Sequence, residues 1–312
     1  MRLHEDKAAF EVIINDVAGR QGVRRDVLEK DYYVTLLLKE LSEREHQAYA
    51  YFKGGTALYK ALKSVRRFSE DIDLTVYIED CPTASQAKKR LEDASLKFTV
   101  LERGALPEKH KGSVTCEYLY TSVYALDTDD VLQRFGRVKI EATSFTVSEP
   151  TQDIVIAPHL YELADETQKR ILHDMYNVVP FPVKTMSLER IFTDKVFATQ
   201  FYFERNAFFD VSKHVYDLSV LLGNETIKTF LQDKNRVDTM IAYKRREEKI
   251  RKGGIPDDMR IADFSYFREL DGNSDFETAF ERMQRVYVFA EKDKLSVGAA
   301  LDAVSELRRL FD

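Results

Sequence analysis

The stretch Phe52-Lys53-Gly54-Gly55-Thr56-Ala57-Leu58, followed after a short spacer by Arg67-Phe68-Ser69-Glu70-Asp71-Ile72-Asp73-Leu74, sets the reading of the whole chain. Ile72, Leu74, Val76 and Ile78 recur at period two, the spacing of a strand with one buried face. Asp71, Asp73, Thr75 and Tyr77 then share the opposite face. Two carboxylates one pleat apart repel unless a cation lies between them, and hard oxygen donors of this kind suit Mg²⁺ or Mn²⁺. A solvated strand with incidental acids is the competing reading of that pair taken alone.

Upstream, Gly54-Gly55-Thr56 leads into Ala57-Leu58-Tyr59-Lys60-Ala61-Leu62, whose composition predicts a helix. Free N–H groups at such a helix start can face an anion, and glycine lets the backbone approach phosphate oxygens. The same pair serves equally well as a plain turn. No Gly-x-x-x-x-Gly-Lys-Ser/Thr occurs, which argues against a P-loop NTPase.

A second alternating segment, Arg137-Val138-Lys139-Ile140-Glu141-Ala142-Thr143, places Glu141 on the polar face of its own strand. Beside the Asp71/Asp73 strand it would bring a third acid to the same face. A cross-strand ion pair with a lysine or arginine is the alternative.

Further along, Ser187 to about Tyr202 reads as a helix with Ser187 as N-cap and Glu189 in its first turn. Lys195 falls inside its apolar stripe, so it needs a partner or a route for its ammonium to water, with Asp194 and Glu189 within reach. The next helix, about Val211 to Leu222, carries Lys213 and Asp217 four residues apart, which suggests an ordinary surface ion pair. Near the N-terminus Asp31 sits on the helical seam of Val27, Val34, Leu38 and Leu41, and a structural hydrogen-bonding role is expected for it.

Together these segments resemble the AbiEii/AbiGii toxin family of minimal nucleotidyltransferases, within the polymerase-β-like superfamily. The resemblance rests on Gly54-Gly55-Thr56, on Arg67-x-Ser69-x-Asp71-Ile72-Asp73-Leu74, on Glu29-Lys30-Asp31-Tyr32-Tyr33-Val34-Thr35, on the strand of Glu141, and on Asp194-Lys195 with Tyr216-Asp217-Leu218. It implies a metal-dependent enzyme that transfers a nucleoside monophosphate from an NTP to a cellular acceptor, with the tRNA 3′ end foremost and a protein as the alternative. Also implied are Mg²⁺ or Mn²⁺ on Asp71, Asp73 and Glu141, and a nucleotide site of Gly54, Gly55, Thr56, Arg67, Ser69 and Lys195. Lys195 would contact the triphosphate and Asp217 would act as an active-site acid orienting it. A cognate antitoxin and a role in toxin–antitoxin and phage-defence systems belong to the same implication. Lys213-His214 departs from the Arg-Asp pair frequent in the family, so no role is carried over to those two positions. A non-catalytic regulator that binds NTP or RNA on the same fold is the reading from another functional class.

Composition is compatible with this picture. The chain has 312 residues, 44% hydrophobic and 12% aromatic, enough for a substantial core. A net charge of −6 argues against indiscriminate nucleic-acid binding. The run Lys244-Arg245-Arg246-Glu247-Glu248-Lys249-Ile250-Arg251-Lys252 is either a local basic patch or a solvated helix face with alternating charges. Two cysteines, Cys81 and Cys116, without metal-ligand spacing, fit a reducing cytoplasm, and neither a signal segment nor a membrane-spanning run is expected.

The expected architecture is α/β, of the α+β kind. Residues 1–182 would form N-terminal helices and a nucleotidyltransferase-like mixed sheet flanked by helices, including strands near Lys97 to Arg103 and Val114 to Tyr124. Pro180-Phe181-Pro182 is expected to interrupt regular structure, and residues 183–312 to form a mostly helical C-terminal domain closing the nucleotide cleft.

Overall fold

Alternating apolar residues build a sheet whose buried side carries Phe52, Ile72, Leu74, Val138, Ile140 and Ala142, all essentially inaccessible to water. The computed structural model describes residues 2–44, 49–64, 66–124, 134–145, 150–250 and 253–312. Two compact units divide it, Met1–Thr185 and Met186–Asp312.

The first unit opens with helices α1 (Lys7–Gln21) and α2 (Arg25–Ser42). Strand β1 (Ala50–Lys53) runs directly into helix α3 (Gly54–Ala61), and strand β2 (Ile72–Val76) follows. Helix α4 (Ala84–Leu96) precedes β3 (Glu102–Arg103), β4 (Glu108–His110), β5 (Ser113–Leu119), β6 (Arg137–Thr143) and β7 (Thr151–Ile156). Helices α5 (His159–Glu162) and α6 (Glu166–Tyr176) lead to β8 (Phe181–Met186). Among the described residues the strands order as β3-β5-β6-β2-β1-β8-β7, with β4 also pairing with β5. The sheet is mixed: β1 and β2 are antiparallel, whereas β2 and β6, and β1 and β8, are parallel.

Several boundaries differ from expectation. Strand β2 stops at Val76, so Tyr77 and Ile78 lie beyond it and Asp71 just before it. Residues 97–101 form no strand, because α4 extends to Leu96 and the chain needs those residues to turn into β3. Of the two prolines near 180, Pro180 lies in the irregular link between α6 and β8 as expected, whereas Pro182 lies exposed within β8. Proline is tolerated in a strand where its missing donor is not required by a neighbour, and the β1–β8 register is carried by Phe52 opposite Thr185.

The second unit is helical throughout its described residues beyond the end of β8: α7 (Leu188–Phe203), α8 (Phe208–Leu222), α9 (Glu225–Gln232), α10 (Lys234–Ile250), α11 (Tyr266–Glu269), α12 (Ser274–Tyr287) and α13 (Val297–Phe311). Helix α7 starts where the sequence indicates, with the Ser187 hydroxyl accepting from Arg190 N at 3.2 Å. Helix α8 packs against α7, α12 and α13 through residues such as Val211, Val215, Leu218 and Leu221. None of the described helices is long and apolar enough to cross a membrane.

Candidate active site

The strand register creates a row of side chains across four strands. Lys53 on β1 lies opposite Asp73 on β2, Asp73 lies opposite Glu141 on β6, and Glu141 lies opposite Thr115 on β5. Because side chains alternate, all four project from the face opposite the apolar core. The parallel β2–β6 pairing sets the two acids side by side, one of the two arrangements left open by the sequence. Glu141 also has an ion pair, but within β6 rather than across strands: Lys139 Nζ stands 3.8 Å from its Oε2, both side chains being well exposed.

Asp73 is half-buried, and its carboxyl is pushed up to about 6 by burial first and then by the charges of Asp71 and Glu141. Lys53 and Lys139 oppose that shift. Asp73 therefore feels the charges of both Asp71 and Glu141. Among the described residues no three His, Cys, Asp or Glu side chains are gathered tightly enough to hold a metal ion. The donor set nevertheless fits a hard divalent cation in its chemistry, being all carboxylate on a shared face with mutual repulsion to relieve.

Gly54 begins α3 at φ 79°, a left-handed conformation that favours glycine, and a Cβ there would overlap the Asp73 carboxylate oxygen. A Cβ on Gly55 would stand 2.7 Å from Ser69 Oγ and 2.8 Å from Arg67 Nη2. Both glycines are needed for close approach, the first to Asp73 and the second to the Arg67/Ser69 segment. The Thr56 hydroxyl ties the two halves of the motif together, donating to Asp71 O at 2.6 Å and lying 3.0 Å from Ser69 Oγ. Arg67 is buried, with Nη1 donating to Phe68 O at 3.3 Å and its guanidinium 5.3 Å from the Tyr59 ring centroid. The exposed Arg66 belongs to the same loop.

Helix α2 braces this assembly through three consecutive buried charges. Glu29 accepts from Ser122 Oγ at 2.5 Å and Val123 N at 2.8 Å. Lys30 donates to Arg134 O and stands 3.6 Å from Glu70, the neighbour of Asp71. Asp31 meets Lys60 Nζ at 2.6 Å, on the last turn of α3, and accepts from His159 N at 2.6 Å. Burial works against the ionised Asp31, but His159 and Lys60 outweigh it and hold the carboxyl below its ordinary value. Asp31 thus has the structural role expected from the sequence.

In the second unit Lys195 Nζ lies 2.5 Å from Asp217 Oδ2, both side chains nearly inaccessible. Lys195 finds its partner across α7 and α8 rather than in Asp194 or Glu189. The expected Lys213–Asp217 surface pair is not what forms: Lys213 pairs with Asp210 at 2.9 Å and lies over the Phe209 and Tyr287 rings, because Asp217 points into the helix interface.

The charged run on α10 is neither a basic patch nor a solvated face at its centre. Lys244, Glu247 and Glu248 are buried, and with Arg190 and Asp194 they form a network in which Arg190 pairs with Glu247 and Lys244 lies 2.9 Å from Glu248. Burial would lower the Lys244 ammonium, but Asp194, Glu247 and Glu248 together raise it. Arg251 and Lys252 of that run lie outside the described residues.

A family model described as "Nucleotidyl transferase AbiEii toxin, Type IV TA system" matches residues 36–306 of the chain. Among solved structures, MenT4, a nucleotidyltransferase toxin from Mycobacterium tuberculosis H37Rv, aligns over 95% of this chain and 99% of its own, with 14% identity and a TM-score of 0.45. No curated protein matches the chain. The match over residues 36–306 spans both the carboxylate strands and the Lys195/Asp217 helices, and the chain belongs to the AbiEii family of nucleotidyltransferase toxins of type IV toxin–antitoxin systems.

Proposed function

We propose that this nucleotidyltransferase moves a nucleoside monophosphate from an NTP onto the 3′ end of tRNA, with Asp71, Asp73 and Glu141 as its acid face. The observation that carries the reading is the Asp73–Glu141 pairing on the polar side of the sheet, with Gly54 closed against Asp73. These acids would hold Mg²⁺ or Mn²⁺, which when bound would offset the charge developing on the transferring α-phosphate. Glu141 would help take the proton from the attacking hydroxyl as the new phosphodiester forms and pyrophosphate leaves.

Gly54, Gly55 and Thr56 offer backbone N–H groups to phosphate oxygens, while Ser69 and Arg67 brace the turn from behind and Arg67 lends it positive charge. By family resemblance, Lys195 would serve the triphosphate with Asp217 orienting it. The buried Lys195–Asp217 pair supports the orienting part of that assignment. Toxin action would be growth arrest in the cytoplasm, relieved by a cognate antitoxin, in a system that also acts in phage defence.

The test is to offer each α-phosphate-labelled NTP with Mg²⁺ to separate pools of total tRNA and cellular protein. Label on tRNA supports the reading, whereas label on protein alone transfers the same chemistry to a protein acceptor. Label on neither overturns both.

A further inference from the structure

A triphosphate brings several negative charges to a sheet face that already holds three carboxylates, so cations must be close to where it lands. The cation best placed in the first unit is Lys53. It lies directly opposite Asp73 in the β1–β2 register, and its Nζ donates to Thr143 Oγ1 at 2.9 Å, beyond β2 on strand β6. An ammonium that begins on β1 and ends on a β6 side chain has crossed the polar face on the way. Lys53 is also the last residue before the glycine pair, with an extended backbone and no side-chain capping bond to α3. Its stem therefore lies on the sheet while its backbone enters the turn.

The other basic groups near this face are committed differently. Arg67 is buried behind Gly55 and donates to Phe68 O. Lys60 is held by Asp31 and Ala157 O, and Lys30 by Glu70 and Arg134 O. Lys139 stands beside Glu141, two residues earlier on the same strand and more exposed. Lys53 alone among these shares a row with Asp73 and a peptide junction with Gly54.

We propose that Lys53 is a second lysine of the nucleotide site, whose ammonium leaves the Thr143 hydroxyl to bind triphosphate oxygens beside Asp73 and the Gly54–Gly55 turn. This rests on the reading of the Asp73/Glu141 face as the NTP site. A lysine suits the task because its ammonium is a compact point charge on a flexible stem with three donors to offer phosphate oxygens.

The experiment measures binding of fluorescent, non-transferable NTP analogues with Mg²⁺ to the full chain, beside circular dichroism and melting to verify folding. Lys53→Met is expected to weaken binding at least ~10-fold, as loss of one charge-assisted hydrogen bond implies. Lys53→Arg, which keeps the charge, should recover part of that loss. Thr143→Val, which removes one resting contact but not the ammonium, should bind as wild type. Wild-type affinity in folded Lys53→Met overturns the inference while leaving the NTP site standing. A loss in Thr143→Val equal to that in Lys53→Met overturns it too, since Lys53 would then act only by holding β6. No binding by the wild-type chain to any NTP would overturn the underlying reading as well.

Discussion

Asp73 and Glu141 are direct partners in the parallel pairing of β2 with β6, and Lys53 faces Asp73 from the antiparallel side. One residue of slip between β2 and β6 would send the acids to opposite faces, and one between β1 and β2 would part Lys53 from Asp73. The apolar partners Ile72–Ile140 and Leu74–Ala142, buried on the other side, are what forbid the first slip.

The acid face is held against electrostatic cost, and that cost has a pH signature. With its carboxyl raised to about 6, folded Asp73 keeps a proton that the unfolded chain has already released above about pH 4. The unfolded state binds fewer protons in that window, so stability falls as pH rises from about 4 to 6 and stays lower above it. Asp73→Asn should therefore stabilise the metal-free protein at pH 7 by on the order of 1–3 kcal/mol, with the gain vanishing below about pH 4. Urea unfolding at both pH values checks this; equal gains at pH 7 and pH 3.5, or none at pH 7, would remove the repulsive acid face from the account.

The same three acids should separate activity from folding. Asp71→Ala, Asp73→Ala and Glu141→Ala are each expected to lower nucleotidyl transfer at least ~100-fold with the native circular dichroism spectrum retained. Glu141→Gln, isosteric but uncharged, should be nearly as damaging as Glu141→Ala. Full activity in Glu141→Gln would reduce Glu141 to the same-strand partner of Lys139.

At the glycine turn, steric demand predicts an ordered pair of defects. Gly54→Ala places a methyl on the Asp73 carboxylate in a backbone conformation costly to alanine, so it should abolish most activity and destabilise the fold by about 1–3 kcal/mol. Gly55→Ala presses on the Ser69 hydroxyl and the end of the Arg67 side chain, both able to give way, and should be milder. Parallel melting curves and rates compare the two, and a more severe Gly55→Ala would contradict the geometry.

Lys195 and Asp217 can be tested as a pair. Removing one partner leaves the other charge buried without compensation, so Lys195→Met should cost about 3–5 kcal/mol. Exchanging both for apolar residues, as in Lys195→Met/Asp217→Leu, should restore much of that stability. Activity should not return with it. A stable and active double variant would leave the pair with a purely structural role.

The sequence made some of this legible and hid the rest for physical reasons. Period-two alternation exposed the strands of Asp73 and Glu141, and the Ser187 cap exposed the start of α7, because those signals are local. Which strands would be neighbours is not local, so the convergence of Asp73 with Glu141 could be expected only from resemblance, and Lys53 passed without a role although it stood beside the glycine pair. Asp217 sits four residues from Lys213, a spacing typical of surface pairs, yet packing of α8 on α7 turns it inward to Lys195. The charges of Lys244, Glu247 and Glu248 look solvated in sequence, and only the opposing Arg190 and Asp194 on α7 make their burial tolerable. Pro182 resembled a break because its own strand neighbours were invisible.

The central claim is transfer to the tRNA 3′ end by the Asp73/Glu141 face, and the most direct measurement is label transfer from each NTP to total tRNA, intact and periodate-oxidised, by wild type and Asp73→Asn. Label on intact tRNA that is lost both in the variant and on oxidation of the terminal ribose is the predicted result. Labelling that survives oxidation would contradict the 3′ acceptor, and labelling that survives Asp73→Asn would contradict the acid face itself.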